Sequence, residues 1–167
     1  MKKLIIGLFV LGLTIPLFAQ VINLPEVEIK AVNYKYLSAV GSNIEDVNIQ
    51  MLQEKVATYD IKKSEMYSDE YDTYSVMFYI PNGRIVAAYD DKGNLIRTIE
   101  RFKDVKLPLA VRNKVYQKFP NWAFVNDVYR VNYHNKKGVT KKQYKIKLTN
   151  SGEVMRIKVD EDGDIMK

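Results

Sequence analysis

One hairpin pattern occurs twice in this chain, and this duplication limits the fold more than any other feature of the sequence. Residues 74–97 and 144–167 each contain an alternating strand, a glycine turn, a second alternating strand and an Asp-x-x-Gly turn. Period-2 alternation of apolar and polar residues is typical of half-buried strands, so each copy predicts antiparallel strands in one of two similar units. With one single-residue gap, the copies match at Tyr74/Tyr144, Val76/Ile146, Phe78/Leu148, Gly83/Gly152, Asp90/Asp160, Gly93/Gly163 and Ile96/Ile165.

A helix is predicted ahead of each hairpin. Residues 43–57 begin with a candidate N-cap, Asn43, and Glu45 and Asp46 complement the helix dipole. The second helix opens at Leu107-Pro108, because proline is tolerated in the first turn, and stops at Pro120. The apolar stripes are Ile44, Val47, Met51, Leu52 and Val56 in the first helix, and Val111, Val115, Tyr116 and Phe119 in the second.

Further strands are predicted over residues 58–66 and 122–134, where apolar and polar side chains alternate. Together these elements predict an α+β fold with two tandem repeats. Each repeat has a helix packed on an antiparallel β-sheet of about four strands.

The N-terminus predicts export. A charged start, Met1-Lys2-Lys3, precedes an apolar run over residues 4–18 and a junction at Ala19-Gln20, which is typical of a cleavable signal peptide over residues 1–19. The run is short for a membrane span, so we expect a periplasmic or secreted protein with no stable membrane insertion after cleavage; an uncleaved anchor is the alternative. Residues 20–42 predict an arm or edge strand, since residues 27–32 alternate and Tyr34 and Tyr36 prolong the pattern.

Composition and motifs disfavour catalytic, metal and nucleic-acid functions. The chain has no cysteine, and without Lys2 and Lys3 it carries 24 basic against 20 acidic residues, a net charge of +4 that does not by itself predict nucleic-acid binding. His134 is the only histidine, and a metal or acid–base site needs partners for it. Residues 160–164 are acidic but are better explained by a β-turn than by a calcium loop. We therefore expect no cofactor, no metal and no enzyme activity.

Strand parity separates core positions from candidate binding positions, because successive side chains point to opposite faces. In the second unit the inward set is apolar and the outward set is basic; in the first unit the outward set is apolar with one tyrosine. An exposed apolar patch usually marks an interface, although the arm or the other unit could cover it. The candidate binding residues are Met77, Tyr79, Val86, Arg130, Lys145, Lys147, Arg156 and Lys158.

A family resemblance rests on several of these motifs. Leu107-Pro108, Val111, Val115, Phe119-Pro120, Tyr144, Ile146, Val159-Asp160 and Gly163 resemble the PepSY-like family of secreted bacterial proteins. The first unit resembles a more divergent copy. The resemblance covers residues 43–167, and implies repeats over 43–101 and 102–167 in the tandem fold of the β-lactamase inhibitory protein. Where the family often has an acidic residue after its tyrosine, this chain has Ser75 and Lys145, and the family offers no established catalytic residues.

These observations favour a secreted, non-enzymatic binding module. Such a module would inhibit or regulate a peptidase or another enzyme through its outer sheet face, with a protein as partner. The alternative is a structural or envelope-associated protein that uses its arm and apolar face for assembly. An enzyme is disfavoured because no catalytic constellation accompanies the single histidine.

Overall fold

Six antiparallel strands form one sheet in the computed structural model, which describes residues 33–41 and 44–166. Each strand pairs with its neighbours in the sequence, so the sheet is a simple meander, and the predicted α+β class is confirmed. The strands are β1 (Thr73–Ile80), β2 (Gly83–Asp90), β3 (Leu95–Lys103), β4 (Ala123–His134), β5 (Gly138–Asn150) and β6 (Glu153–Val159). The helices in these ranges are α1 (Tyr34–Val40), α2 (Val47–Thr58), α3 (Leu109–Lys118) and the short 3₁₀ turn Ile61–Lys63.

Helix α2 begins later than the sequence predicts. Its N-cap is Asp46, whose Oδ1 accepts the backbone N–H groups of Asn48 at 3.1 Å and Ile49 at 3.4 Å. The predicted cap, Asn43, lies outside the described residues. The predicted stripe is partly wrong, because Val47 and Met51 are exposed. The sheet instead buries the face that carries Ile49, Leu52, Gln53, Val56 and Ala57.

Helix α3 confirms the predicted start and stop. Pro108 is its N-cap, with φ −54°, and the helix ends before Phe119. Val111 and Val115 are buried as predicted, but Tyr116 is exposed and packs edge-to-face on Phe124, with ring centroids 4.9 Å apart. Tyr116 therefore borders the core instead of filling it.

Two segments predicted to be strands have helical structure. Tyr34–Val40 is helix α1, although Tyr34 and Tyr36 alternate as strand residues would. The 58–66 segment contains the 3₁₀ turn Ile61–Lys63, because the side chain of Asp60 accepts the N–H of Lys62 and caps a helical turn. The predicted signal peptide and residues 20–32 of the predicted arm lie outside the described residues.

A buried carboxylate joins two helices to the sheet. Glu100 of β3 points to the helix-covered side, where it accepts hydrogen bonds from Tyr36 Oη at 2.9 Å and Gln53 Nε2 at 2.8 Å. Thr98 Oγ1 donates a third bond at 2.9 Å. Burial raises the pKa of the Glu100 carboxyl, and the three hydrogen bonds act against that rise. The Glu100 carboxylate is the acceptor of all three hydrogen bonds, so this one side chain holds α1 and α2 in position against β3.

The two Asp-x-x-Gly turns have the same hydrogen-bond pattern. Asp90 Oδ1 accepts the N–H groups two and four residues later at 3.0 and 2.7 Å, and Asp160 Oδ1 does so at 3.1 and 2.8 Å. Gly93 and Gly163 both have positive φ, +86° and +88°. The turn interpretation of both aspartates is confirmed.

The rest of the duplication is less regular. Ser151 and Gly152 form the β5–β6 turn with positive φ, whereas Gly83 is already the first residue of β2. A Cβ at Gly83 would lie 2.3 Å from Phe102 Cδ1, so glycine is needed there for close strand packing. In the described part of the second half, an isolated bridge between Val159 and Ile165 occupies the place that matches the start of strand β3. The arrangement as two tandem repeats therefore stays a prediction.

Candidate functional site

All eight candidate binding residues lie on one side of the sheet. On β4 to β6 the alternate side chains are buried under the helices, among them Tyr129, Val131, Tyr144, Ile146 and Leu148. On β1 and β2 the buried alternate residues include Phe78 and Ile85. The candidates occupy the intervening positions of these five strands, on the side away from the helices, which we call the open face. Because β3 pairs with β4, the outer surfaces of the two predicted units form a single continuous surface. The open face carries Met77, Tyr79, Val86, Arg130, Lys145, Lys147, Arg156 and Lys158.

Three arginines stand side by side on neighbouring strands of the open face. Arg84 of β2 pairs with Arg101 of β3, which pairs with Arg130 of β4. Tyr79 of β1 pairs with Arg84, and its side chain is 77% exposed. We call Arg84, Arg101 and Arg130 the arginine row. Adjacent strands are about 4.8 Å apart, so the row spans roughly 10 Å across the sheet.

An apolar row runs parallel to the arginine row. Met77 of β1 pairs with Val86 of β2, which pairs with Ile99 of β3. Met77 is 55% exposed and Ile99 51% exposed, so both offer apolar surface to a partner. The same line continues into Asn132 and Lys141. We call Met77, Val86 and Ile99 the apolar row.

The open face is strongly cationic. Among the described residues, none of its basic side chains forms a salt bridge. Asp90 has the carboxylate at an outward strand position in this part of the chain, and it accepts backbone N–H groups of its own turn. Repulsion by Arg130 lowers the pKa of the Lys145 ammonium, and burial, Lys158 and Lys141 lower it further. The basic residues at outward positions are Arg84, Arg97, Arg101, Lys103, Arg130, Lys141, Lys145, Lys147, Arg156 and Lys158.

Sequence reasoning missed half of these basic residues. Arg84 has the opposite parity to its buried neighbour Ile85, so the alternation of β2 could have placed it outward. Strand β3 was harder to recognise, because its inward side includes the polar Thr98 and Glu100 while Ile99 points outward. Because of that inverted pattern, the outward positions of Arg97, Ile99, Arg101 and Lys103 were not predicted. Lys141 was missed because the predicted hairpin strand begins at residue 144, after it.

Two depressions adjoin the arginine row. One, of about 380 Å³, lies toward the β1–β2 turn and is lined by Met77, Tyr79 and Lys103 among others. The other, of about 350 Å³, lies between the two rows and is lined by Val86, Ile99, Arg130, Asn132 and Lys141 among others. Arg84 and Arg101 line both. Each depression is therefore large enough for a side chain of a partner and has a cationic wall.

The other residues singled out from the sequence have local roles. His134 Nδ1 accepts the N–H of Lys136 at 3.1 Å in the β4–β5 turn. The acidic residues after β6 bind lysines, with Asp164 at 2.8 Å from Lys114 and Glu161 at 2.6 Å from Lys142. Within residues 33–41 and 44–166, no group of three or more His, Asp or Glu side chains is arranged to hold a metal ion. No helix in the same ranges is long and apolar enough to cross a membrane.

Comparison with solved structures finds two that match part of this chain. A BLIP-like protein from Bacteroides fragilis has a TM-score of 0.34 and 11% identity, covering 71% of this chain and 82% of that chain. A DUF2874 family protein from Bacteroides ovatus has a TM-score of 0.35 and 16% identity, covering 72% of this chain and 84% of that chain.

No family model and no curated protein matches the chain. Membership of the PepSY-like family stays a prediction.

Proposed function

We propose that this protein is a secreted, non-enzymatic binding module whose open face binds an acidic protein partner. One observation carries the proposal: the cationic residues of the open face have no ionic partners in the described chain, and they adjoin an exposed apolar row. Folding by itself gains little from gathering like charges, since they repel each other across the sheet. A partner with carboxylates would relieve that repulsion.

The two kinds of residue would make different contributions to binding. Surface charges mainly raise the association rate and lose this effect as salt screens them. Binding free energy concentrates in aromatic and arginine side chains that become shielded from water. Tyr79, Arg101 and Arg130 are therefore the residues expected to contribute most, while Lys145, Lys147, Arg156 and Lys158 steer the encounter.

Inhibition or regulation of an enzyme fits this mode of action, since a broad sheet face can cover part of another protein. Self-assembly through the open face is disfavoured, because two copies would bring like charges together. The duplication over residues 43–101 and 102–167 is part of the proposal, supported by the matching turns at Asp90 and Asp160.

Affinity capture with paired baits tests the proposal. The wild-type protein and two double variants would be exposed to the same envelope extract. One variant carries Arg101→Glu and Arg130→Glu on the open face; the control carries Lys62→Glu and Lys118→Glu, at exposed positions on the 3₁₀ turn and α3. Net charge changes equally in both.

The proposal predicts a protein that is captured by the wild type and the control and is lost with the open-face variant. A partner that both variants retain would contradict binding through the open face.

Export is proposed from the sequence of residues 1–19. The intact mass of protein recovered from the periplasm or medium should lack a segment that ends near Ala19. Recovery of the full-length chain in the inner membrane would contradict export by cleavage.

A further inference from the structure

We propose that the segment bound by the open face is an acidic peptide that also carries apolar residues, with its carboxylates on the arginine row and its apolar side chains on the apolar row. This ligand class deepens the proposed function and rests on it. The register of the strands, the depression between the rows and the charge of the face support it.

The arginine row favours carboxylates. Each guanidinium presents a planar fork of N–H donors that matches a carboxylate in a bidentate contact. Arg84, Arg101 and Arg130 follow one another across three paired strands, so a segment that crosses the strands meets one guanidinium after another. In the described chain no acidic side chain lies within salt-bridge distance of any of the three.

Two adjacent rows of different chemistry can be contacted by one segment. Arg84 and Val86 are two residues apart on β2, and Ile99 and Arg101 are two residues apart on β3. That separation is about 6.8 Å along a strand, less than the width of a peptide with its side chains. The depression of about 350 Å³ between the rows has both chemistries in its wall. A segment lying there would place acidic side chains on one row and apolar ones on the other.

Other polyanions fit the face less well. A single-stranded nucleic acid would use several aromatic side chains as stacking platforms, and Tyr79 is the tyrosine at an outward strand position within the described residues. An anionic lipid surface would satisfy the cations, but it does not need a ladder of guanidinium groups beside an apolar row. Both alternatives become outcomes of the experiment.

The experiment uses the whole mature protein, labelled with ¹⁵N, and three short acetylated peptides. One alternates Glu and Leu, one alternates Glu and Ser, and one alternates Lys and Leu. Amide shifts measured by NMR give both the affinity and the location of binding. We expect the Glu–Leu peptide to bind most tightly, the Glu–Ser peptide more weakly, and the Lys–Leu peptide not at all, with shifts centred on Arg101, Arg130 and Ile99.

Three single variants separate the contributions of the two rows. Arg101→Gln should lower the affinity for the Glu–Leu peptide by about tenfold or more, since it removes a charged partner of the peptide's carboxylates. Ile99→Thr keeps a β-branched residue in the strand. It should lower the affinity for the Glu–Leu peptide but leave the affinity for the Glu–Ser peptide unchanged. Lys62→Gln, which removes a charge outside the sheet, should change neither.

Several results would overturn the inference. One is an Arg101→Gln variant that binds the Glu–Leu peptide as tightly as the wild type does. Another is a set of amide shifts confined to the helices. The others are an affinity for the Lys–Leu peptide equal to that for the Glu–Leu peptide, and tighter binding to phosphatidylglycerol vesicles or oligothymidylate than to the Glu–Leu peptide. If the acidic peptides fail while a captured partner is still lost with Arg101→Glu and Arg130→Glu, this inference falls and the proposed function stands. If that partner is also retained, both fall.

Discussion

Asp127 is a buried acid whose protonation is linked to folding. It lies on the helix-covered side of β4, where its Oδ1 accepts the N–H of Val105 at 3.3 Å. Burial raises the pKa of the Asp127 carboxyl to about 6; the hydrogen bond from Val105 acts against the rise, and the nearby Asp104 adds to it. The native state therefore holds a proton that the unfolded chain releases at lower pH. Between about pH 4 and pH 6 the contribution of Asp127 to stability falls as the pH rises.

Asp127→Asn should remove this loss of stability. The amide oxygen can still accept the Val105 N–H, but no charge has to be buried at neutral pH. We expect the variant to gain about 1–3 kcal/mol in the free energy of unfolding at pH 7 and little at pH 4. Urea unfolding at both pH values measures the difference, with the exposed Asp69→Asn as control. Equal gains at both pH values would contradict the assignment of the titration to Asp127.

Tyr79 and Tyr89 make a matched pair that tests strand parity. Tyr79 is 77% exposed on the open face, whereas Tyr89 is fully buried and its Oη donates to Val56 O at 2.8 Å. Tyr79→Ala should keep the wild-type melting temperature and weaken partner binding by about 1–2 kcal/mol. Tyr89→Ala should lose about 3–5 kcal/mol of stability, as large-to-small core substitutions do. Calorimetry distinguishes them, and a comparable loss of stability in both would reject the outward placement of Tyr79.

At the level of elements, the sequence predicts the strands better than the connections. Clean alternation identifies β1, β2, β4, β5 and β6, because one face of each is buried and the other is not. Helix α1 was missed because Tyr34 and Tyr36 alternate over a short segment. The helical signal was the four-residue spacing of Tyr36 and Val40, both fully buried, and a segment of seven residues carries too few such positions to decide.

Long-range contacts explain the remaining misses. Glu100 can occupy an inward position because it accepts hydrogen bonds from α1 and α2. Those partners are distant in the sequence, so the pattern of β3 does not indicate them. Likewise, Gln53 lies on the buried face of α2 because it donates to Glu100. Because of this polar network, β3 has polar residues at inward positions, and the buried face of α2 includes Gln53 beside the apolar residues.

Two equivalent glycines provide a test at the scale of an element. Gly93 and Gly163 share positive φ, so a side chain at either is strained. Among the described residues, a Cβ at Gly93 would meet only Ile61 Cγ2, at 3.8 Å, whereas a Cβ at Gly163 would lie 2.9 Å from Val111 Cα in helix α3.

Gly93→Ala should therefore cost about 1–2 kcal/mol from backbone strain alone. Gly163→Ala should cost about 1–3 kcal/mol more, because α3 must move away from the turn. Chemical denaturation of the two variants measures the difference. Equal losses would show that α3 does not pack as closely on this turn as the structure has it.

At the level of the whole molecule, the pairing of β3 with β4 determines the candidate site. Sequence parity places Tyr79 and Arg130 outward, each within its own half of the chain. It cannot place them on a common surface, because the register Arg84–Arg101–Arg130 depends on contacts between the halves. The outward residues of β1, β4 and β6 were thus predictable, whereas those of β3 and the adjacency of the apolar and cationic residues were not.

Site-specific photocrosslinking measures most directly whether the open face is the binding surface. The photoreactive residue p-benzoylphenylalanine would replace either Tyr79 on the open face or Tyr116 on α3, which are 77% and 53% exposed. In an envelope extract, we predict a discrete protein adduct from position 79 that disappears when Arg101→Glu and Arg130→Glu are added to the same chain, and none from position 116. An adduct from position 116 alone, or one from position 79 that persists in the charge-reversed chain, would contradict recognition of an acidic partner by the open face.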